Sequence, residues 1–165
     1  MIKEVHKHNT IFNDLPYRFE GGTPNIADVI GFNAAIEYLK EIGMENVREH
    51  EKDLIRYMYD SLKDIKDINI YGPENCNDRG GLISFNLQDI HPHDCATILN
   101  DFGVAIRSGH HCAQVLMEKL DIVASSRASL YIYNTKEEID IFVNALNHVR
   151  RIFKLWVKIF IEKWY

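Results

Sequence analysis

The stretch Leu82-Ile83-Ser84-Phe85-Asn86-Leu87 is the clearest strand of the sequence, and the glycine pair Gly80-Gly81 marks where it begins. A shorter stretch, Ile68-Asn69-Ile70-Tyr71, alternates between apolar and polar residues and stops at Gly72-Pro73. Both stretches therefore predict short strands.

Long segments with helical spacing of apolar residues surround these strands. Residues 26–42 carry such a pattern and stop at Gly43, and a second helix is predicted from Met44 or Asn46 to about Ile65. A third helix begins at Pro92, a residue suited to a first turn, and ends before Gly103.

The second half of the chain continues this alternation. Val104-Ala105-Ile106 and residues 127–133 are predicted as strands, with a helical turn at residues 116–120 between them. Thr135 and Glu138 have the spacing of a capping box and predict the start of a last helix. Short strands between long helices predict an α+β fold, with a small mixed or antiparallel sheet covered on one face by helices.

Bulk properties narrow the class of protein. The 165 residues are enough for one domain with a real core, and the net charge of −5 argues against a nucleic-acid binder. No signal peptide is recognisable, and no run reaches the roughly 20 apolar residues that cross a bilayer. The three cysteines, Cys76, Cys95 and Cys112, follow no regular spacing, which favours reduced thiols and a cytoplasmic location.

The richest chemistry lies in Arg107-Ser108-Gly109-His110-His111-Cys112-Ala113-Gln114. A thiol reacts as the thiolate, and nearby cationic side chains favour that form. Cys112 is therefore a candidate nucleophile, with a buried, inert cysteine as the ordinary alternative. A zinc site that combines His110, His111 and Cys112 with His91, His93 or Cys95 is a third possibility, although contiguous ligands are unusual for structural zinc.

A second candidate site precedes the first long helix. Gly21-Gly22-Thr23-Pro24-Asn25 offers backbone amides, a hydroxyl and a helix start, which together suit a phosphate group. A simple turn capped by Asn25 explains the same residues without any ligand.

Taken together, several stretches resemble the C-terminal part of SufS-type cysteine desulfurases, which are class V aminotransferases of the fold-type I pyridoxal-phosphate (PLP) group. The likeness extends from about Met1 to Phe153 in one order, so it is far more specific than any single motif. The matching stretches are Phe19–Asn25, Ile70–Pro73, Ile90–Asp94, Arg107–Ala113, Arg127–Ser129 and Tyr133–Thr135.

This resemblance implies roles for individual residues. Cys112 would be the nucleophile that takes sulfur from the substrate L-cysteine as a persulfide. Arg127 would hold the substrate carboxylate, a task that suits its planar, bidentate guanidinium. Arg107 would help to hold the substrate or the loop, and Thr23 would reach the cofactor phosphate of the other subunit in a homodimer.

The sequence also departs from the pattern of this family. The Ser-x-His-Lys stretch that carries the PLP lysine is absent, as are the aspartate that pairs with the pyridine nitrogen and the histidine that stacks on the ring. His6-Lys7 imitates the motif, but no glycine-rich turn follows it. We therefore expect residues 1–25 to be the remnant of a large domain and its active-site loop, and residues 26–153 to be the small domain. A chain that lacks the PLP-lysine domain is expected to be inactive alone.

The resemblance further implies partners and leaves an alternative open. The partners would be the missing PLP-binding domain or a homodimer partner, and a SufU- or SufE-like sulfur acceptor for iron–sulfur cluster assembly. The alternative is a non-catalytic module that carries sulfur or binds at the dimer interface. Residues 154–165 form an extra apolar tail with interspersed lysines, which would extend the last helix and pack on the domain, lack a function, or bind a membrane surface or a partner.

Overall fold

A computed structural model describes the backbone of residues 1–164 and the side chains of residues 1–154. Its elements are β1 (Ile2–His6), β2 (Asn9–Phe12), α1 (Ile26–Ile42), α2 (Met44–Lys63), β3 (Ile68–Tyr71), β4 (Leu82–Leu87), α3 (Pro92–Asn100), β5 (Arg107–Gly109), α4 (Gln114–Lys119), β6 (Ser125–Ser129) and α5 (Lys136–Trp164). The chain divides into two compact units, Met1–Met44 and Glu45–Tyr165. The predicted domain boundaries after residues 25 and 153 remain predictions.

The first unit contains a hairpin and one helix. Strands β1 and β2 pair antiparallel, and Lys7 and His8 form the turn between them. Helix α1 has the predicted bounds, because the Asn25 side chain accepts a hydrogen bond from the Asp28 amide at 3.3 Å and Gly43 ends the helix at a φ of +87°. No residue of α1 is buried, although the helix carries Val29, Ile30 and other large apolar side chains.

The second unit is built on a four-stranded sheet with strand order β3-β4-β6-β5. All three strand pairs are antiparallel, which confirms the α+β prediction and selects the antiparallel form of the sheet. Strands β3 and β4 have the predicted bounds, and glycine marks one end of each, since Gly72 follows β3 and Gly80-Gly81 precedes β4.

One face of this sheet is the core of the unit. Ile83, Phe85 and Leu87 alternate along β4 toward that face, and their neighbours on β6 are Ser126 and Ala128. Helices α2, α3 and α5 cover it with the buried side chains Leu54, Ile55, Met58, Leu62, Cys95, Leu99, Ile139, Phe142, Leu146 and Val149. We call it the helix-covered face.

The opposite face carries the other alternate residues of the same strands. Ser84 and Asn86 of β4 lie on this face, and Ser84 is the ladder partner of Arg127 on β6. On its other side, Arg127 pairs with Arg107 of β5. We call this the arginine face. Because successive side chains of a strand point to opposite faces, the same strands form an apolar surface on one side of the sheet and a polar surface on the other.

Two strand predictions need correction. Val104–Ile106 is not a strand. Strand β5 begins at the next residue, Arg107. The predicted strand at residues 127–133 instead runs from Ser125 to Ser129. In both places the ladder with a neighbouring strand, rather than local apolar content, sets the bounds, because β5 is a three-residue edge strand that pairs only with β6.

The last helix starts as the capping box predicts. The Thr135 amide donates to Glu138 Oε2 at 3.0 Å, and the Glu138 amide donates to Thr135 Oγ1 at 3.4 Å. The helix continues through Trp164, so the tail extends it, but the side-chain packing predicted for residues 155–165 lies outside the described side chains. No helix among the described residues is long and apolar enough to cross a membrane.

Candidate active site

The arginine face brings together the two guanidinium groups that the sequence singled out. Arg107 and Arg127 are direct partners in the antiparallel ladder of β5 and β6, so their side chains leave the sheet on the same side. Neither forms an ion pair within the described part of the chain, and Arg127 Nε is buried without a hydrogen-bond partner there. Two adjacent unpaired cations favour an anionic ligand, and a carboxylate fits the fork of a guanidinium.

Cys112 lies next to this pair. Its side chain is exposed, and Arg107 Nη2 is 3.7 Å from its sulfur. Exposure and a neighbouring guanidinium are the surroundings in which nucleophilic cysteines are found. Cys112 thus lies beside Arg107, whose ladder partner is Arg127, and the three residues form one candidate site.

The backbone around Cys112 is unusual. His111 and Cys112 have φ angles of +55° and +58°, and Gly109 has +123°. The left-handed conformation costs a non-glycine residue roughly 1–2 kcal/mol. Two such residues in succession persist only where surrounding contacts hold them, a pattern that clusters at functional sites.

The imidazole of His111 supplies one such contact. Its Nε2 lies 3.0 Å from the Ser125 carbonyl oxygen and 3.0 Å from Ser125 Oγ. Burial lowers the pKa of His111 below its ordinary value, and the positive charges of Arg127 and Arg107 lower it further. This imidazole is therefore neutral at neutral pH.

The other two thiols have different surroundings. Cys95 is buried in the core, as expected from the sequence, and burial raises the pKa of its thiol to about 11. Cys76 is half-buried in a short 3-10 helix between β3 and β4. Cys112 is the exposed thiol of the three.

Thr23 belongs to the first unit, Met1–Met44, whereas Arg107, Cys112 and Arg127 belong to the second. It is exposed and stands two residues before the N-cap of α1, and a side chain at Gly22 would meet nothing within 4 Å. One accessible hydroxyl at a helix start suits a phosphate group. Because the sequence has no Ser-x-His-Lys stretch, the residues of this chain fit at most the phosphate end of PLP.

The structure gives no support to a zinc site. No three His, Cys, Asp or Glu side chains are arranged to hold a metal ion in the part of the chain with described side chains. The imidazole of His111 is bonded to Ser125 instead, while His91 accepts a hydrogen bond from the His93 amide at 3.2 Å.

Comparison with known proteins defines the class. The chain belongs to the class V aminotransferase family, because the model of that family, Aminotransferase class-V, matches residues 1–142. Within this class, the similar curated proteins are cysteine desulfurases. A cysteine desulfurase of Haloferax volcanii is 53% identical over 153 residues, which cover 93% of this chain and 36% of that protein. A probable cysteine desulfurase of Staphylococcus aureus is 49% identical, with 93% and 37% covered.

Solved structures give the same result. The apo cysteine desulfurase of Thermococcus onnurineus superimposes with a TM-score of 0.81 at 38% identity, covering 90% of this chain and 37% of that one. The cysteine desulfurase CsdA of Escherichia coli, in an S-sulfonic acid form, has a TM-score of 0.82 at 30% identity, covering 92% and 37%. The chain thus spans somewhat more than a third of the length of these relatives.

The sequence predicted Arg107, Arg127 and Cys112 as site residues, but the resemblance to cysteine desulfurases assigned no role to His111. The contact between His111 and Ser125 joins residues 14 positions apart, so no local pattern announces it. The available signal was indirect: an imidazole beside a candidate nucleophile, in a loop that follows a glycine.

Proposed function

We propose that this chain supplies the sulfur-accepting part of a PLP-dependent cysteine desulfurase. The observation that carries the proposal is the exposed sulfur of Cys112, 3.7 Å from the guanidinium of Arg107. The pairing of Arg107 with Arg127 supports it, because the same surface offers both a nucleophile and a site for a carboxylate. L-cysteine is a substrate with a carboxylate and a sulfur to present to these two groups.

In this proposal Arg127 binds the carboxylate of the substrate. Arg127 is half-buried, and without an anionic partner its guanidinium carries an uncompensated cost of burial. A bound carboxylate would offset that cost, so the burial favours binding of an anion. Arg107 lies across the ladder, closer to solvent, and places positive charge next to both the substrate and the Cys112 sulfur. Lysine in place of Arg127 would keep the charge but lose the planar fork.

Cys112 receives the sulfur atom of L-cysteine as a persulfide, and alanine is the other product. The exposure of Cys112 supports a second task, delivery of that sulfur to another protein. The proposed acceptor is a SufU- or SufE-like protein of cytoplasmic iron–sulfur cluster assembly. Thr23 is proposed to contact the cofactor phosphate of a second subunit.

Apart from Thr23, the residues that hold the cofactor, above all the PLP lysine, are proposed to come from outside this chain. The chain corresponds to 36–37% of its relatives and contains no Ser-x-His-Lys stretch. We therefore expect no desulfuration by this chain alone. Activity requires the PLP-binding residues, supplied on the same or another polypeptide.

The test is mass spectrometry of Cys112 after incubation with PLP and L-cysteine. The chain is incubated alone and with a second polypeptide that carries the PLP-binding part of a desulfurase relative. We expect alanine, and a Cys112 peptide heavier by one sulfur atom, only in the second mixture. Cys112→Ser should abolish the sulfur label, whereas Cys76→Ser, the matched control, should leave it. Failure to label Cys112 in any mixture would contradict the proposal.

A second candidate function is a sulfur carrier without PLP chemistry of its own. The absence of the cofactor lysine stretch and the exposed thiol both favour it. It predicts that Cys112 takes sulfur from an intact desulfurase that is turning over L-cysteine, without alanine production that depends on this chain. Measuring alanine with and without the chain, at a fixed amount of that desulfurase, separates the two functions.

A further inference from the structure

The loop that carries Cys112 is tied to the sheet by one half-buried imidazole. His111 Nε2 lies within 3.0 Å of both oxygen atoms of Ser125, a residue with no exposed surface. Ser125 is the ladder partner of Gly109 and precedes Arg127 by two positions on β6. The contact therefore links the loop that carries Cys112 to strand β6, which carries Arg127.

The chemistry of this contact fixes the tautomer of the imidazole. A carbonyl oxygen only accepts hydrogen bonds, so Nε2 of His111 carries the hydrogen and donates to Ser125. Nδ1 then has a free lone pair, and it is buried without a hydrogen-bond partner among the described residues. Burial lowers the pKa of His111, and the two nearby guanidinium groups add to this, against the opposite effect of the bond to Ser125. The side chain is therefore neutral, with its hydrogen at Nε2.

The backbone of the loop needs such an anchor. His111 and Cys112 are both left-handed, and the turn's own hydrogen bond, from the Ala113 amide to the His110 carbonyl at 2.8 Å, is local. That bond holds the shape of the turn but not its position against β6. Contacts from outside a strained segment are what keep it in one conformation.

We infer that His111 is a positioning residue, whose bond to Ser125 holds the sulfur of Cys112 beside Arg107 and near the strand that carries Arg127. The inference rests on the proposed function, because it assigns the anchor to the sulfur-accepting site. His111 itself is not assigned to the transfer of sulfur. Its role is exerted through the placement of Cys112.

The test is a double-mutant cycle on the rate of Cys112 alkylation by iodoacetamide, followed by peptide mass mapping of the full chain. In the wild-type background, Arg107→Met should slow alkylation about fivefold, the size expected for an exposed charge contact. In the His111→Leu background, where no donor remains, the same change should have less than about a twofold effect, since the sulfur no longer sits beside the guanidinium.

His111→Gln is the matched conservative variant. Its side-chain amide can donate to the Ser125 carbonyl from about the reach of Nε2, so the fivefold effect of Arg107→Met should return. If His111→Leu does not fold, as judged by circular dichroism, the cycle is decided in the glutamine background. Retained coupling there supports the inference, and lost coupling overturns it.

Two results would overturn the inference directly. One is an Arg107→Met effect of the same size in the wild-type and His111→Leu backgrounds. The other is no effect of Arg107→Met in the wild-type chain. Because the assay needs neither PLP nor L-cysteine, its failure is distinguishable from failure of the desulfurase proposal, which is read from sulfur labelling and alanine.

Discussion

The helix-covered face and the arginine face of the sheet differ in nearly every physical property, although alternate residues of the same strands form both. On β6, Ser126 and Ala128 are buried against the core, whereas Arg127, between them in sequence, has on the other side a guanidinium whose Nε is buried without a partner among the described residues. Stability is concentrated on the first face, where Phe85 contacts Phe142 with ring centroids 5.8 Å apart. The second face carries the positive charges of Arg107 and Arg127, which form no ion pair among the described side chains, and it is the face proposed to bind the substrate.

The largest expected difference between the faces is in thiol reactivity. In the native chain, Cys112 should react with iodoacetamide at least about a hundredfold faster than Cys95, because Cys95 is 2% exposed and reacts only when the core opens. Peptide mass mapping over time measures both rates. In urea, where the chain is unfolded, the two rates should converge, and similar rates under native conditions would contradict the burial of Cys95.

Truncation of the core should cost the most stability. Phe85→Ala is expected to lower the free energy of unfolding by about 3–5 kcal/mol, since it removes a fully buried ring and leaves a cavity. Urea unfolding followed by circular dichroism measures the loss. Leu82→Ala on the same strand is the matched control. That side chain is 39% exposed, so its loss should cost less than about 1 kcal/mol. A larger loss would contradict the claim that stability depends mainly on the helix-covered face.

Removal of charge from the arginine face should raise the free energy of unfolding instead of lowering it. Arg127→Met is expected to raise the free energy of unfolding by roughly 0.5–1 kcal/mol, because it removes a like-charge pair with Arg107 and a buried nitrogen without a partner. Sulfur labelling in the reconstituted mixture should fall sharply at the same time.

Arg79→Met is the contrasting variant for this measurement. Arg79 is 6% exposed, and its Nε, like that of Arg127, is buried without a partner among the described residues. Unlike Arg127, it donates to the Tyr71 carbonyl at 3.0 Å and lies 5.0 Å from the ring centroid of Tyr59. Losing these contacts should cost about 1–3 kcal/mol of stability. If both variants changed stability in the same direction, the unpaired state of Arg127 would not be the cause.

The smallest expected effect is a dependence of stability on pH. The pKa of His111 is lowered by folding, so just below its ordinary value of 6.5 the unfolded chain binds more protons than the folded chain. This contribution to stability is fully present above pH 6.5 and decreases as the pH falls toward the folded pKa. Urea unfolding at several pH values should show a shallower slope in this window for His111→Gln than for the wild-type chain. Equal slopes would mean that His111 is not held neutral by the fold.

The accuracy of the sequence predictions follows the range of the interactions that decide each element. Helix α1 and strands β3 and β4 were predicted with their observed bounds, because Asn25, Gly43 and the glycines around the strands act locally. Strand β5 was placed three residues too early. Val104 and Ile106 are apolar because they pack against the core, not because they pair with another strand.

The candidate site could be predicted in composition but not in arrangement. The motif and its resemblance to a family indicated Cys112, Arg107 and Arg127. The pairing of the two arginines depends on the register of β5 against β6, and the anchoring of His111 depends on a contact to Ser125 across 14 residues. Both are long-range outcomes of folding, which residue pattern alone does not specify.

The ladder position of Arg107 also disfavours a wrong register of β5 against β6. If β5 slipped by one residue against β6, the guanidinium of Arg107 would point into the apolar core, and Ser108 would take its place outside. Burying an unpaired charge there would cost several kcal/mol, so a misaligned form could not compete with the native one. A side chain proposed to serve substrate binding thus also rejects wrong alignments of the short edge strand while the protein folds.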